Sequence, residues 1–212
     1  MRVSTPLALV SAALVAAGGL ALEGKWTPWQ LGQLDQHWLA EQGLQVPSSA
    51  LWNPVSGGGL LAAVVDLDGC TAALVSGEGL LLTNHHCVYS MLQQQSTPHA
   101  DILSTGFLAP GRGGERAGYS SSALVPARFT DVTADVEKAV PARADGLARS
   151  RALAQRQKEL VAECERQPGR RCRVVAFDGG LQYVMIESLE YPDVRLVYAP
   201  PQALGDFGGE VD

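Results

Sequence analysis

Past residue 21 this sequence has no apolar run long enough to cross a bilayer, which excludes a membrane-spanning helix from the rest of the chain. It has no surplus of positive charge. Sixteen Lys and Arg stand against 22 Asp and Glu, a net charge of −6, which argues against nucleic acid or anionic lipid as the main partner. Histidine is scarce, with 4 in the whole chain, and no HExxH stretch occurs, so the helical zinc-hydrolase signature is missing. Cysteine is scarce too, but even in number: Cys70, Cys87, Cys164 and Cys172. What the chain does have is apolar character, 46% of its residues, enough by composition for a real core.

The apolar character begins in a leader. Residues 1–21, MRVSTPLALVSAALVAAGGLA, set Arg2 before an apolar run from about Pro6 to Leu20 and close on Gly19-Leu20-Ala21. Small residues at the −3 and −1 positions complete the pattern of an export signal peptide. The run is too short and too rich in Ala and Gly to serve comfortably as an anchor. The sequence therefore predicts cleavage between Ala21 and Leu22, within two residues, and an exported chain, periplasmic or extracellular. Export favours disulfides, and four cysteines allow three pairings. Cys164 and Cys172 bracket a turn-like ERQPGRR, whereas Cys70 and Cys87 bracket a strand-turn-strand pattern, so spacing favours those two pairs.

Along the chain, all four tryptophans fall between residues 26 and 52. WQLGQLDQHWLAEQG has near-helical apolar spacing ended by Gly43, and packing of this segment on the β-rich stretch after it is the simplest role for its tryptophans. LLAAVVDL, TAALVS and GLLLTNHHCVY read as three antiparallel strands punctuated by DG and GEG. Residues 89–107 form a polar segment with a helix-like start, and 108–120 read as loop. ALVPARFTDVT is another strand, with Asp131 placed to cap the segment after it. Residues 133–166 are rich in Ala, Arg, Glu and Gln, interrupted at Pro141, with Leu147, Leu153, Leu160, Val161 and Cys164 near one stripe, the pattern of an amphipathic helix. CRVVAF, LQYVMIES and VRLVYAP return to strands. The expected division is a leader at 1–21, a β-rich part at 22–132, a helical insertion at 133–170 and a return to strands at 171–212.

The chemistry, if present, lies in TNHHC. His85, His86 and Cys87 admit three readings: metal ligands, a catalytic base beside a disulfide, or polar residues at a strand end. Adjacent residues on a strand face opposite ways, so the two histidines could not easily hold one ion, and His37 and His99 sit in no motif with them. No metal and no cofactor is expected. If one histidine faces a cleft, the other faces away. A histidine directly before a disulfide cysteine matches the general base of chymotrypsin-like serine proteases, which needs a fixed position and tautomer. That points to His86 as the base and His85 as a structural hydrogen-bonding residue.

LLLTNHHCVYSMLQQQSTPHADILSTGFLA closely resembles a segment of the S46 family of dipeptidyl peptidases. The likeness runs back through GCTAALVSGEGLLLTNHHC to EGKWTPWQL, and forward through AECE, LEYPDVRLVYAPP and DFGGEVD. It implies an exported bacterial enzyme that releases dipeptides from oligopeptides with a free N-terminus, through a Ser-His-Asp triad. It implies a mainly β fold with an α insertion: part of a chymotrypsin-like double β-barrel and the start of an inserted α-helical domain. By motif, His86 falls on the family's base and Cys70 with Cys87 on its disulfide.

The family pattern continues beyond GGEVD into an Asn-Trp pair, an HTGD segment and a distant GNSGSP-like serine motif, none of which occurs here. Ser56 in VSGGG has no elbow around it, and Asp66 and Asp68 in VVDLDGC read as strand-end and turn residues. The expectation is an N-terminal portion of a longer enzyme, a homodimer at full length, and inactive as this portion alone because triad members act as a unit. The rival expectations are a non-enzymatic exported binding or scaffold domain, and a metal-dependent hydrolase using the histidine pair.

Overall fold

The structure, a computed structural model, describes residues 26–118 and 122–205. The expected leader at 1–21 lies outside them. The described chain opens on a 3-10 turn at Pro28–Gln33 and a short helix α1 (Gln36–Glu41). The single helix read over this stretch is divided because the Asp35 carboxylate accepts the N–H groups of His37 and Trp38 and starts a new helix there. Gly43 ends it, at φ +101°, a conformation glycine adopts without a Cβ penalty. After α2 (Ser48–Leu51), the tryptophans dock on the later strands. Trp29 stacks 5.2 Å from Phe129 and 5.1 Å from Phe177, and Trp52 lies 5.0 Å from Phe129.

Next come β1 (Val64–Leu67), β2 (Cys70–Leu74) and β3 (Leu81–Thr83), an antiparallel meander. Asp68 and Gly69 form the two-residue β1–β2 turn with φ of +50° and +86°, the left-handed pair that matches strand twist. There follow α3 (His85–Gln95), α4 (Ile102–Thr105), β4 (Phe107–Leu108), β5 (Arg116–Ala117) and β6 (Ala123–Asp131). Helices α5 (Thr133–Glu137) and α6 (Gly146–Cys164) precede β7 (Arg170–Phe177) and β8 (Gln182–Tyr191). β9 (Arg195–Leu196), β10 (Tyr198–Ala199) and α7 (Gln202–Gly205) close the described chain.

Six strands form one antiparallel sheet in the order β3-β2-β1-β6-β8-β7. The β6–β8 register shifts between Pro126 and Arg128, a bulge that tolerates a proline inside a sheet. The sheet also coils. Arg173 on β7 reaches Asp66 on β1 at 3.5 Å, although β8 and β6 lie between them. In a flat sheet those strands would stand roughly 14 Å apart. The described residues thus make a mixed sheet-and-helix unit whose largest sheet is six-stranded and antiparallel.

Three buried clusters hold it. Val65, Leu67, Ala72 and Ala123 pack inside the meander. Val132, Val136, Leu160, Tyr183 and Met185 join α5 and α6 to β8. Leu92, Ile102, Leu196 and Ala199 join α3, α4, β9 and β10. Leu153 and Cys164 lie on the buried side of α6 as the stripe required, but Leu147 is 61% exposed. It stands in the helix's first turn and takes no part in the buried cluster. VRLVYAP also departs from expectation. It breaks into β9 and β10, which pair with β5 and β4 and stay outside the six-stranded sheet.

Candidate active site

The site is assembled by one hairpin and the helix after it. β2 and β3 pair as Ala72↔Thr83, Ala73↔Leu82 and Leu74↔Leu81. The Thr83 hydroxyl donates to the Thr71 carbonyl at 2.8 Å, which fixes the strand end. Asn84 is extended at φ −78°, ψ 150° and serves as the N-cap of α3. Cys87 in the first turn donates its N–H to the Asn84 carbonyl at 3.1 Å. The third strand read through the histidines therefore stops at Thr83, and both histidines are helical. Val88, Met91 and Leu92 explain the change. They recur at helical spacing, and Leu92 is fully buried against Ile102, Leu196 and Ala199.

The helix separates the histidines by another route than strand alternation. Successive helical residues point about 100° apart. His85 is three residues before Val88 and seven before Leu92, so it joins the inward stripe. Its ring nitrogens are shut off from solvent, and a Cβ on Gly205 of α7 would collide with its imidazole. His86 is on the exposed side. Cys87 reaches back to Cys70 at the start of β2, closing a disulfide with Cα atoms 6.0 Å apart. Cys164 and Cys172 form the second disulfide, with Cα atoms 6.2 Å apart, tying the end of α6 to β7. Both pairings are those the spacing favoured.

Among the described residues one group of three metal-ligating side chains occurs, Cys70, His86 and Cys87, with donor atoms within 4.8 Å of one another. Two of those donors are bonded to each other in the disulfide, so a single imidazole is left for an ion, too few for a stable site. His37 pairs with Glu41 across a turn of α1 at 3.3 Å. His99 lies between Thr97 and Ala100, which bond each other's backbones.

The other polar residues weighed from sequence have local work. The Ser56 hydroxyl accepts the Gly58 N–H at 3.3 Å in an exposed turn. Asp66 accepts the Gly69 N–H at 3.0 Å and pairs with Arg173. Asp68 accepts from Ser122. Sequence reasoning missed the Gly205–His85 contact. No local pattern signals it, because the two residues meet only when α7 folds onto α3.

The chain is similar to known proteins over nearly its whole length. The family model described as Peptidase S46 matches residues 21–212. An Asp/Glu-specific dipeptidyl-peptidase of Shewanella putrefaciens is 39% identical over 209 residues, 97% of this chain and 28% of that protein. A dipeptidyl-peptidase 7 of Porphyromonas gingivalis is 32% identical over 206 residues, 96% of this chain and 29% of that protein. The crystal structure of Porphyromonas endodontalis DPP11 in complex with the dipeptide Arg-Glu superposes with a TM-score of 0.78 at 34% identity, covering 89% of this chain and 28% of that one. The chain thus spans under a third of the length of the relatives it matches.

Proposed function

The chain belongs to the peptidase S46 family, and from that premise we propose that it supplies the base-bearing part of an exported serine-type dipeptidyl aminopeptidase. The substrates are oligopeptides with a free N-terminus, cut after the second residue. The observation that carries the reading is the presentation of His86: exposed, in the first turn of α3, braced from below by the Cys70–Cys87 disulfide. A general base must stand at the cleft surface yet be held in place. His86 meets both conditions, and His85, turned inward against Gly205, meets the second alone.

In this reading His86 takes the proton of a serine hydroxyl as that oxygen attacks the scissile carbonyl, then returns it to the leaving amine. On the same reading the orienting aspartate and the serine come from the part of the longer relatives that this chain does not match. The coiled sheet, with Arg173 closed onto Asp66, supports the first barrel of a chymotrypsin-like pair. The edge of the sheet at β3, free among the described residues, is in this reading where such a barrel would continue. The division into a leader at 1–21, a β-rich part at 22–132, a helical insertion at 133–170 and returning strands at 171–212 belongs to the same proposal, as does a homodimer of the longer enzyme.

The reading is tested by incubating N-terminally free peptides, with acidic or hydrophobic second residues, with two samples. The 212-residue chain alone is expected to release no dipeptide. The same chain continued to the length of its relatives is expected to release them without added metal. Release by the short chain, or release that a chelator abolishes and zinc restores, overturns it.

A further inference from the structure

We propose that reduction of the Cys70–Cys87 disulfide turns the His86 neighbourhood into a Cys2His site for a divalent metal ion such as zinc. The donor atoms of Cys70, His86 and Cys87 already lie within 4.8 Å of one another. Ligands on a tetrahedral zinc stand about 3.8 Å apart when two are sulfurs at about 2.3 Å from the ion. The two sulfurs, about 2.05 Å apart in a disulfide, would have to part by roughly 1.7 Å once reduced, and the imidazole to close in by up to about an ångström, movements within the reach of side-chain rotation. The backbone is prepared for it. Cys70 and Cys87 have Cα atoms 6.0 Å apart, and both are held by structure that does not depend on the disulfide. Cys70 pairs with Leu67 at the β1–β2 hairpin end, and Cys87 lies in a helix whose Leu92 packs against Ile102, Leu196 and Ala199. His86 is exposed while the two cysteines are half-buried, which leaves an entry path and an open fourth position for water.

In the oxidised chain both sulfurs are committed to each other. A dithiol reductant delivers two electrons, leaving two thiols here and its own disulfide. The ion then displaces the two thiol protons and takes the imidazole lone pair of His86. A histidine so bound cannot accept a proton, so the metal-loaded form has no free base. That last consequence rests on the function proposed above. Metal binding itself does not.

The test is a Co2+ titration of the dithiothreitol-reduced chain after anaerobic removal of the reductant. A Cys164→Ser, Cys172→Ser variant is run beside the wild type so that one cysteine pair supplies the thiolates. The expected result is thiolate-to-cobalt absorption saturating at one ion per chain, bleached by Zn2+ and absent before reduction. His86→Ala is expected to weaken binding by at least about tenfold, the lower end of what losing even an outer-shell partner of a metal site costs. If the variant does not fold, zinc protection of Cys70 and Cys87 from alkylation is mapped in the reduced wild type by mass spectrometry. If reduction itself unfolds the chain, Zn2+ is expected to restore the near-ultraviolet circular dichroism of the oxidised form. No absorption or protection, no restoration, or an unchanged titration in His86→Ala overturns the proposal. These outcomes stand whether or not the extended chain releases dipeptides.

Discussion

Individual residues carry more of this molecule than their neighbours do. Asp131 accepts the Thr133 N–H at 2.9 Å and the Gln182 side-chain amide at 3.0 Å. Those bonds, with Gln182 the largest contributor, hold its carboxyl below the usual carboxylate range. A depressed folded-state pKa gives stability that is present above the unfolded value and lost as pH falls through the folded one. Asp131→Ala is thus expected to cost a few tenths to about 1 kcal/mol at neutral pH, the range of a well-exposed cap. The difference should begin to shrink as pH falls below the unperturbed Asp value near 4 and go on shrinking as pH passes through the lowered folded value, as read from urea midpoints at each pH. Gly205→Ala should destabilise by about 1–3 kcal/mol, the usual cost of overpacking, because the new methyl would strike the His85 ring. The same substitution in a chain lacking the His85 ring, His85→Ala, should be nearly neutral, and a double-mutant cycle of thermal midpoints checks it. At this scale the sequence separated the two histidines, setting His86 as the candidate base apart from a structural His85. Cys87 selected His86 as that residue, but the reason differs. Strand alternation does not separate the pair; the helical stripe from His85 through Val88 to Leu92 does.

At the scale of elements, the β2–β3 hairpin and α3 act as one piece because the Cys70–Cys87 disulfide joins them. Replacing both cysteines with serine is expected to cost about 2–4 kcal/mol, seen as a lower midpoint in guanidinium with an equal or steeper slope, because the uncrosslinked denatured chain exposes more surface. The elements legible in the sequence were those with local periodicity and firm punctuation. The DG turn, the strand of 123–131 and the helix after Pro141 were all readable. Elements decided by contacts from far along the chain were not. α3 begins at His85 because its inward face meets β9 and β10, and an apolar run alone cannot say where a strand ends and a helix begins. VRLVYAP is split for a related reason. The Val197 carbonyl accepts the Ala109 N–H at 2.8 Å between two short pairings.

Over the whole molecule, one face of the meander is exposed among the described residues. Val64, Ala73 and Leu82 lie side by side across β1, β2 and β3. Val75 and Leu80 extend the row, and Leu82 is 66% exposed at the free β3 edge. An apolar row beside a strand that is an edge among the described residues is a self-association hazard in water. Leu82→Lys is expected to lower hydrophobic-dye binding and sedimentation-detected association of the 212-residue chain without lowering its unfolding midpoint. Loss of stability instead would mean that Leu82 is packed rather than exposed. The same scale sets the limit of what the sequence could convey. The likeness to the S46 peptidases was legible because its motifs span the chain. The coiling of the sheet was not, because it shows only in contacts between strands far apart in the chain, such as Arg173 on β7 with Asp66 on β1.

The central claim is that His86, not His85, is the base of a dipeptidyl peptidase. The direct measurement is the rate of dipeptide release by the chain at its relatives' full length, in the wild type, His86→Ala and His85→Ala. Release is expected to fall on the order of 10⁴-fold or more for His86→Ala, because triad members act as a unit, and by less for His85→Ala, in step with its stability. Undiminished release by His86→Ala would contradict it.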